Sequence, residues 1–175
     1  MKCILIILDG LGDRPIPKFR NLTPLEIAKT PNLDRLAQKG ITGIMNALGI
    51  GIAPGSDVSH LSILGYEPEK YYCGRGPLEA LGINLSIKEG DLVFRGNMAA
   101  VDEELNIIDR RAGRINSNKM LVEPVNGLMI NKIRFNVYPA LGHRVVVVAT
   151  GKNLSDKISD NDIHKEGTRG KPKTV

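Results

Sequence analysis

Three kinds of residue in this chain have the types and spacing to do chemistry: an aspartate closing an apolar run, a serine after a proline-glycine turn, and arginines set among glycines. Asp9 follows Lys2–Leu8 and precedes Gly10. A carboxylate there serves as a metal ligand or catalytic group, or else as a turn former and helix cap. Ser56 follows Pro54-Gly55 and leads into Val58, Leu61 and Leu64, the apolar positions of a helix. If it caps that helix, its hydroxyl lies beside free backbone N–H groups, an anion site; otherwise it is a plain N-cap. His60, four residues on, is a further candidate.

Arg75 sits in Gly74-Arg75-Gly76, and Arg110, Arg111 and Arg114 in DRRAGR. Guanidinium forks recognise phosphate and carboxylate bidentately, and neighbouring glycines let backbone approach the same ligand. The competing reading of the DRRAGR arginines is a solvated charge cluster. His143-Arg144, opening a strand, adds a candidate pair. Asp160, Asp162 and His164 have the types of a metal site, but their spacing also suits a polar loop.

These residues need elements to hold them. Lys2–Leu8 is continuously apolar and β-branched, which predicts a strand buried on both faces of a parallel sheet, with Asp9 at its carboxyl end. Thr23-Pro24-Leu25-Glu26 is a capping box, and Thr30-Pro31 opens a second helix that stops at Gly40. A short strand is expected near 43–45, ahead of the serine loop. The order strand, helix, helix, strand is that of an α/β fold. Further on, Leu92–Val101 reads as a strand, with Asp102–Asn106 as the turn of a hairpin into Ile107-Ile108. Ile133, Phe135 and Val137 alternate with polar neighbours as a half-exposed strand, and HRVVVVAT, residues 143–150, is another. A boundary is therefore expected near residue 95. It separates a parallel-sheet part, 1–95, from a smaller α+β lobe, 96–154, and a polar linker follows, 155–175.

Composition narrows the partners. The chain has 175 residues, 42% hydrophobic and 25% charged, enough for one domain with a modest second lobe. Its 24 Lys plus Arg exceed 19 Asp plus Glu, a net charge of +5, without a basic run of the kind that makes a nucleic-acid tail. Aromatics are 4% and Trp is absent, which disfavours a base-stacking platform. A small anionic substrate is expected, with neither nucleic acid nor membrane as partner. CILIIL is too short for a signal-peptide core or a membrane span, and two cysteines make no disulfide framework, so a cytoplasmic protein is expected. GIGIAPGS lacks the GK[ST] ending of a P-loop.

The blocks ILDGLGDRP, TPLEIAKTPNLDRLA, PGSDVSHLSILGY, GRGPLEALG, VFRGNMAAVD, DRRAGRI, GHRVVVV and SDNDIHKEG, in this order, resemble the N-terminal half of the archaeal-type cofactor-independent phosphoglycerate mutases of the alkaline phosphatase superfamily. The resemblance implies part of an alkaline-phosphatase-like sheet domain with an inserted substrate lobe. It implies an isomerase of glycolysis and gluconeogenesis that interconverts 3-phosphoglycerate and 2-phosphoglycerate through a phosphoserine, without bisphosphoglycerate. Two divalent metal ions, manganese, magnesium or zinc, are implied as cofactors. Asp9 becomes a metal ligand. Ser56 becomes the nucleophile and a second metal contact, since a divalent ion lowers the pKa of a serine hydroxyl. The substrate falls to Arg75, Arg110, Arg111, Arg114, His143 and Arg144. Family members commonly read DPH where this chain has Asp162-Ile163-His164.

The family chain is about twice as long, and its other metal ligands lie in the other half. The chain is therefore expected to be a fragment, a truncated product or half of a split enzyme, inactive alone and completed by a C-terminal half, and it is open to homo-oligomer formation. The alternatives are a non-catalytic module that binds a phosphorylated acid, and a phosphatase of the same superfamily in which water takes the phosphate from Ser56.

Overall fold

A computed structural model of the chain describes residues 2–51, 55–159 and 161. The chain divides into two compact units, Met1–Ile50 and Gly51–Val175.

The first unit is built from local signals. Ile16 bridges Leu22 around a 3-10 turn at Pro17–Phe19, closed by Arg20 and Asn21 in the left-handed region (φ 57° and 60°). Helix α1 (Pro24–Ile27) carries the expected capping box: the Thr23 hydroxyl accepts from the Glu26 amide at 3.3 Å, and the Glu26 carboxylate accepts from the Thr23 amide at 2.7 Å. These two bonds hold the Glu26 carboxyl below its ordinary pKa. Helix α2 (Pro31–Lys39) starts with proline in its first turn and stops at Gly40, as its sequence predicts.

The strand expected at Lys2–Leu8 does not form. Those residues join no ladder, and Ile4, Leu5 and Ile6 are 85%, 61% and 74% exposed. A strand is completed by its neighbour, and no described strand pairs with this run. Residues 43–45 likewise form no strand. The mixed helix-and-sheet class holds, but every strand pair among the described residues is antiparallel.

The second unit holds the core. Its elements are helices α3 (Ser56–Ile63), α4 (Pro68–Tyr71) and α5 (Arg75–Gly82), strands β1 (Leu92–Asn97), β2 (Ala100–Val101) and β3 (Ile107–Asp109), helix α6 (Lys119–Val122), and strands β4 (Leu128–Ile130), β5 (Ile133–Pro139) and β6 (Arg144–Thr150). Four strands form one sheet in the order β1-β6-β5-β4, and β2 with β3 form the expected hairpin. The β4–β5 turn is Asn131-Lys132, both with positive φ (49° and 66°), the geometry that matches strand twist in a two-residue hairpin. The boundary expected near residue 95 falls inside β1, which pairs with β6 along its whole length.

Each face of the sheet takes a helix. Ala80 of α5 packs with Val146 and Val148, flanked by Val93, Tyr138 and Ile83. Val122 of α6 packs on the other face with Val137 and Val145. Gly76 sets how closely α5 approaches: a Cβ there would lie 1.9 Å from the Val93 carbonyl oxygen, so only glycine fits.

Candidate functional site

Ser56 occupies the first helical position of α3, while the cap is Gly55, in extended conformation (φ −79°, ψ 138°) and without a side-chain bond. The serine is thus not the N-cap, and its side chain is exposed on the first turn. Nδ1 of His60 and the Ser56 carbonyl oxygen are hydrogen-bonded, which uses one nitrogen of that ring on the helix itself.

The next residue makes the connections. The Asp57 carboxylate accepts from Arg75 Nε at 2.9 Å and Arg75 Nη2 at 3.3 Å, and also from the Tyr72 hydroxyl. Burial pushes the Asp57 carboxyl up, but the bonds from Arg75 and Tyr72 outweigh it and hold the group below its ordinary pKa. Burial first, and then the bond to Asp57, push the Tyr72 phenol up to about 12. The bond to Asp57 likewise raises Arg75. Gly55 makes room for this pair, because a Cβ on it would lie 2.8 Å from Asp57 Oδ1. Arg75, expected to contact substrate, therefore has its Nε edge committed to a carboxylate beside Ser56.

A second group of charges gathers about His143. Burial lowers the His143 pKa, and the charges of Arg144, Arg111, Arg95 and Arg114 lower it further. Asp109 shapes the loop: its carboxylate accepts from the Arg111 amide at 2.8 Å and the Gly113 amide at 2.7 Å. These bonds hold the Asp109 carboxyl below its ordinary pKa. Ala112, Gly113 and Arg114 follow in succession with positive φ (44°, 65° and 56°), which turns the chain sharply between Arg111 and Ile115. Arg144 Nη1 lies 3.6 Å from Glu79 Oε1 of α5.

Residues of the amino end of α5 and of β1 line a cleft of about 960 Å³, in which Arg75, Arg95 and Arg110 stand with Asp91, Asp156, Cys73 and Asn97. Asp9 lies in the first unit, exposed, at the turn where the Leu11 amide donates to the Leu8 carbonyl. Asp160, Asp162 and His164 lie outside the described residues. Among the described residues, no three His, Cys, Asp or Glu side chains come together as a metal site. No helix of the described residues is long and apolar enough to cross a membrane.

Sequence reasoning missed Asp57, Tyr72 and Arg95. For Arg95 a signal existed: an arginine followed by glycine inside an otherwise apolar strand, FRG. Asp57 and Tyr72 carried none, because their pairing depends on α3 and α4 meeting in space.

The family profile of 2,3-bisphosphoglycerate-independent phosphoglycerate mutase matches residues 37–174. The chain belongs to this family. The mutase 1 of Methanocaldococcus jannaschii is 50% identical over 170 residues, which are 96% of this chain and 41% of that relative. The Sulfolobus acidocaldarius mutase is 49% identical over 173 residues, 97% of this chain and 42% of that one. Among solved structures, the cofactor-independent phosphoglycerate mutase of Thermoplasma acidophilum superposes with a TM-score of 0.51 at 45% identity, over 95% of this chain and 42% of its own. The PH0037 protein of Pyrococcus horikoshii superposes with a TM-score of 0.63 at 35% identity, over 81% of this chain and 35% of its own. The chain thus spans about two fifths of the length of these phosphoglycerate mutase relatives.

Proposed function

We propose that this chain supplies the nucleophile and the substrate arginines of a phosphoglycerate mutase, an isomerase of glycolysis and gluconeogenesis that acts in the cytoplasm. The observation that carries the reading is the gathering of Arg75, Arg95 and Arg110 on one cleft in a chain of this family. Clustered like charges repel, and a ligand with a phosphate and a carboxylate relieves that repulsion.

Ser56 Oγ attacks the phosphorus of 3-phosphoglycerate, the bond to the C3 oxygen breaks, and the serine proton passes to that oxygen. The glycerate is held by its carboxylate among Arg110, Arg111 and Arg114, with His143 and Arg144, and reorients. Its C2 hydroxyl then takes the phosphoryl group and returns the proton to Ser56. Retention of glycerate between the half-reactions is an entropic task, which paired guanidinium groups perform well. Asp57, with Arg75 and Tyr72, holds the first turn of α3 in place.

The two divalent ions implied by the resemblance require more ligands than Asp9 and Ser56. The described residues assemble no such set, and in this reading metal binding belongs to a complete enzyme. In the same reading, residues 1–95 contribute to the phosphatase-like domain and 96–154 to the lobe, with β1 as the strand where one passes into the other. A separate C-terminal half or a second copy is the partner.

Turnover tests this. The chain alone, with manganese, magnesium or zinc, should not convert 3-phosphoglycerate to 2-phosphoglycerate, and co-production with the remaining portion of a relative should restore conversion. Binding of 3-phosphoglycerate without conversion by the combined chains would leave only a phospho-acid binding module. Release of inorganic phosphate would make it a phosphatase.

A further inference from the structure

The DRRAGR loop and the turn that carries His143 and Arg144 are distant in sequence, yet the chain that leaves the loop touches that turn twice. Beyond Arg114 it runs from Ile115 to Asn118 and enters α6. Gly142 makes the first contact possible: its φ is positive (63°), and a Cβ on it would lie 3.1 Å from the Ile115 carbonyl oxygen, so the two backbones approach closely where glycine leaves room. The second contact is a bond. Asn118 Nδ2 donates to the Arg144 carbonyl.

Among the described residues Asn118 is the one polar residue that is fully buried, at 2% exposure. Its Oδ1 has no hydrogen-bond partner there. A buried amide with one end unpaired is costly, and a leucine of similar size would avoid that cost, so packing alone does not account for an asparagine here. The bond to Arg144 does. It reaches the backbone only and leaves the guanidinium to α5, where Arg144 Nη1 lies 3.6 Å from Glu79 Oε1.

The backbone of the turn is held from several sides. The His143 carbonyl accepts from the Met98 amide at 2.7 Å, the Arg144 carbonyl from the Ala140 amide at 3.0 Å, and the Arg144 amide donates to the Leu141 carbonyl at 3.2 Å. Of these bonds, the one from Asn118 runs toward the arginine loop. Asn118 is itself anchored, because its carbonyl accepts from the Leu121 and Val122 amides at 3.0 and 3.1 Å and Val122 is buried against Val137 and Val145.

We propose that Asn118 is a positioning residue, which sets the spacing between the DRRAGR loop and His143 by tying the chain after Arg114 to the Arg144 carbonyl. The inference rests on the mutase reading for what that spacing serves, the holding of a glycerate carboxylate, and adds a residue that acts through others. The spacing can be read without turnover. Burial first, and then the charges of Arg144, Arg111, Arg95 and Arg114, lower the His143 pKa, so the imidazole registers how near the loop arginines stand. Asp109, held mainly by the Arg111 and Gly113 amides, interacts with the same imidazole.

The test is an NMR titration of the imidazole protons in the 175-residue chain, whose three histidines include His143, with His143→Gln to assign the resonance. Asn118→Leu keeps the volume and removes the donor. It should raise the His143 pKa toward the ordinary histidine value, as the loop moves off and burial relaxes. Val148→Ala, in the other apolar cluster, loses stability and should leave the titration where it is. Should Asn118→Leu lose its circular-dichroism signature, Asn118→Ala replaces it with the same expectation. In the complete enzyme the variant should raise KM for 3-phosphoglycerate about tenfold with kcat little changed, the pattern of lost uniform binding.

A His143 titration that stays put when Asn118 is replaced overturns the proposal, as does an equal shift in Val148→Ala. If the titration shifts while KM is unchanged, Asn118 sets the spacing and the substrate role given to the loop fails instead.

Discussion

The two units of the chain are opposites in how their structure is held. Among the described residues of Met1–Ile50, the structure is built of features that close within a few residues: the Ile16 to Leu22 bridge, the Thr23 to Glu26 capping box, and the nine-residue α2. None of its described residues is buried, and Ile4, Ile41 and Ile44 are almost fully exposed. In the second unit, ladders join residues far apart in sequence, Leu92 to Ala149 and Asn97 to Arg144, and Val146 and Ala80 are completely buried. Local signals suffice to shape a helix, whereas burial requires distant partners. The first unit has the helices of a domain without a core, and the second has a core with a charged cleft beside it.

Substitutions sharpen this contrast. The largest effect is expected at Gly76, where a Cβ meets the Val93 carbonyl. Gly76→Ala should cost about 3 kcal/mol or more in urea unfolding, because both partners are backbone and neither can give way. Val146→Ala removes two methyl groups from a fully buried site and should cost about 2 kcal/mol in the same measurement.

Asp57→Asn comes next. It keeps an acceptor but loses the charge that holds Arg75, and with Arg75 half-exposed and screened by solvent the loss should be about 1 kcal/mol at neutral pH. The folded-state pKa of Asp57 is lowered, so its stabilisation is present above the ordinary carboxylate pKa and fades as pH falls through the folded value. The wild-type chain should therefore lose more stability on acidification than the asparagine variant. Parallel curves for the two would place no weight on the Asp57–Arg75 pair.

The smallest effect belongs to the first unit. Ile6→Asp, at a site 74% exposed, should change the stability of this chain by less than about 0.5 kcal/mol, although the residue reads as the centre of a buried strand. A loss comparable to Val146→Ala would mean that Lys2–Leu8 is buried in solution, and the contrast between the units would break.

What was legible in the sequence follows the same division. Thr23, Pro24, Glu26, Pro31 and Gly40 announce α1 and α2 through capping chemistry, and the alternation at Ile133, Phe135 and Val137 announces β5 through its pleat. HRVVVVAT announces β6, and Asp102–Asn106 the β2–β3 turn. Lys2–Leu8 misled because an apolar β-branched run records only a preference for burial, and pairing is a property of two strands. β4 escaped because three residues, Leu128–Ile130, carry too little pattern. Of the candidate site residues, Arg110, Arg111, Arg114, His143 and Arg144 stand out in the sequence as charges near glycines and at a strand start. The engagement of Arg75 with Asp57 was not, since it joins residues from two helices.

The assignment of Ser56 as the phosphoryl acceptor is tested most directly by mass spectrometry. The chain, combined with the remaining portion of a family relative and divalent metal, is mixed with 3-phosphoglycerate, quenched in acid within the first turnovers, and the peptide spanning Ser56 is analysed. One phosphoryl group on Ser56, absent in Ser56→Ala together with all conversion to 2-phosphoglycerate, is the expected result. Conversion that continues in Ser56→Ala, or a phosphoryl group found on another residue, would contradict it.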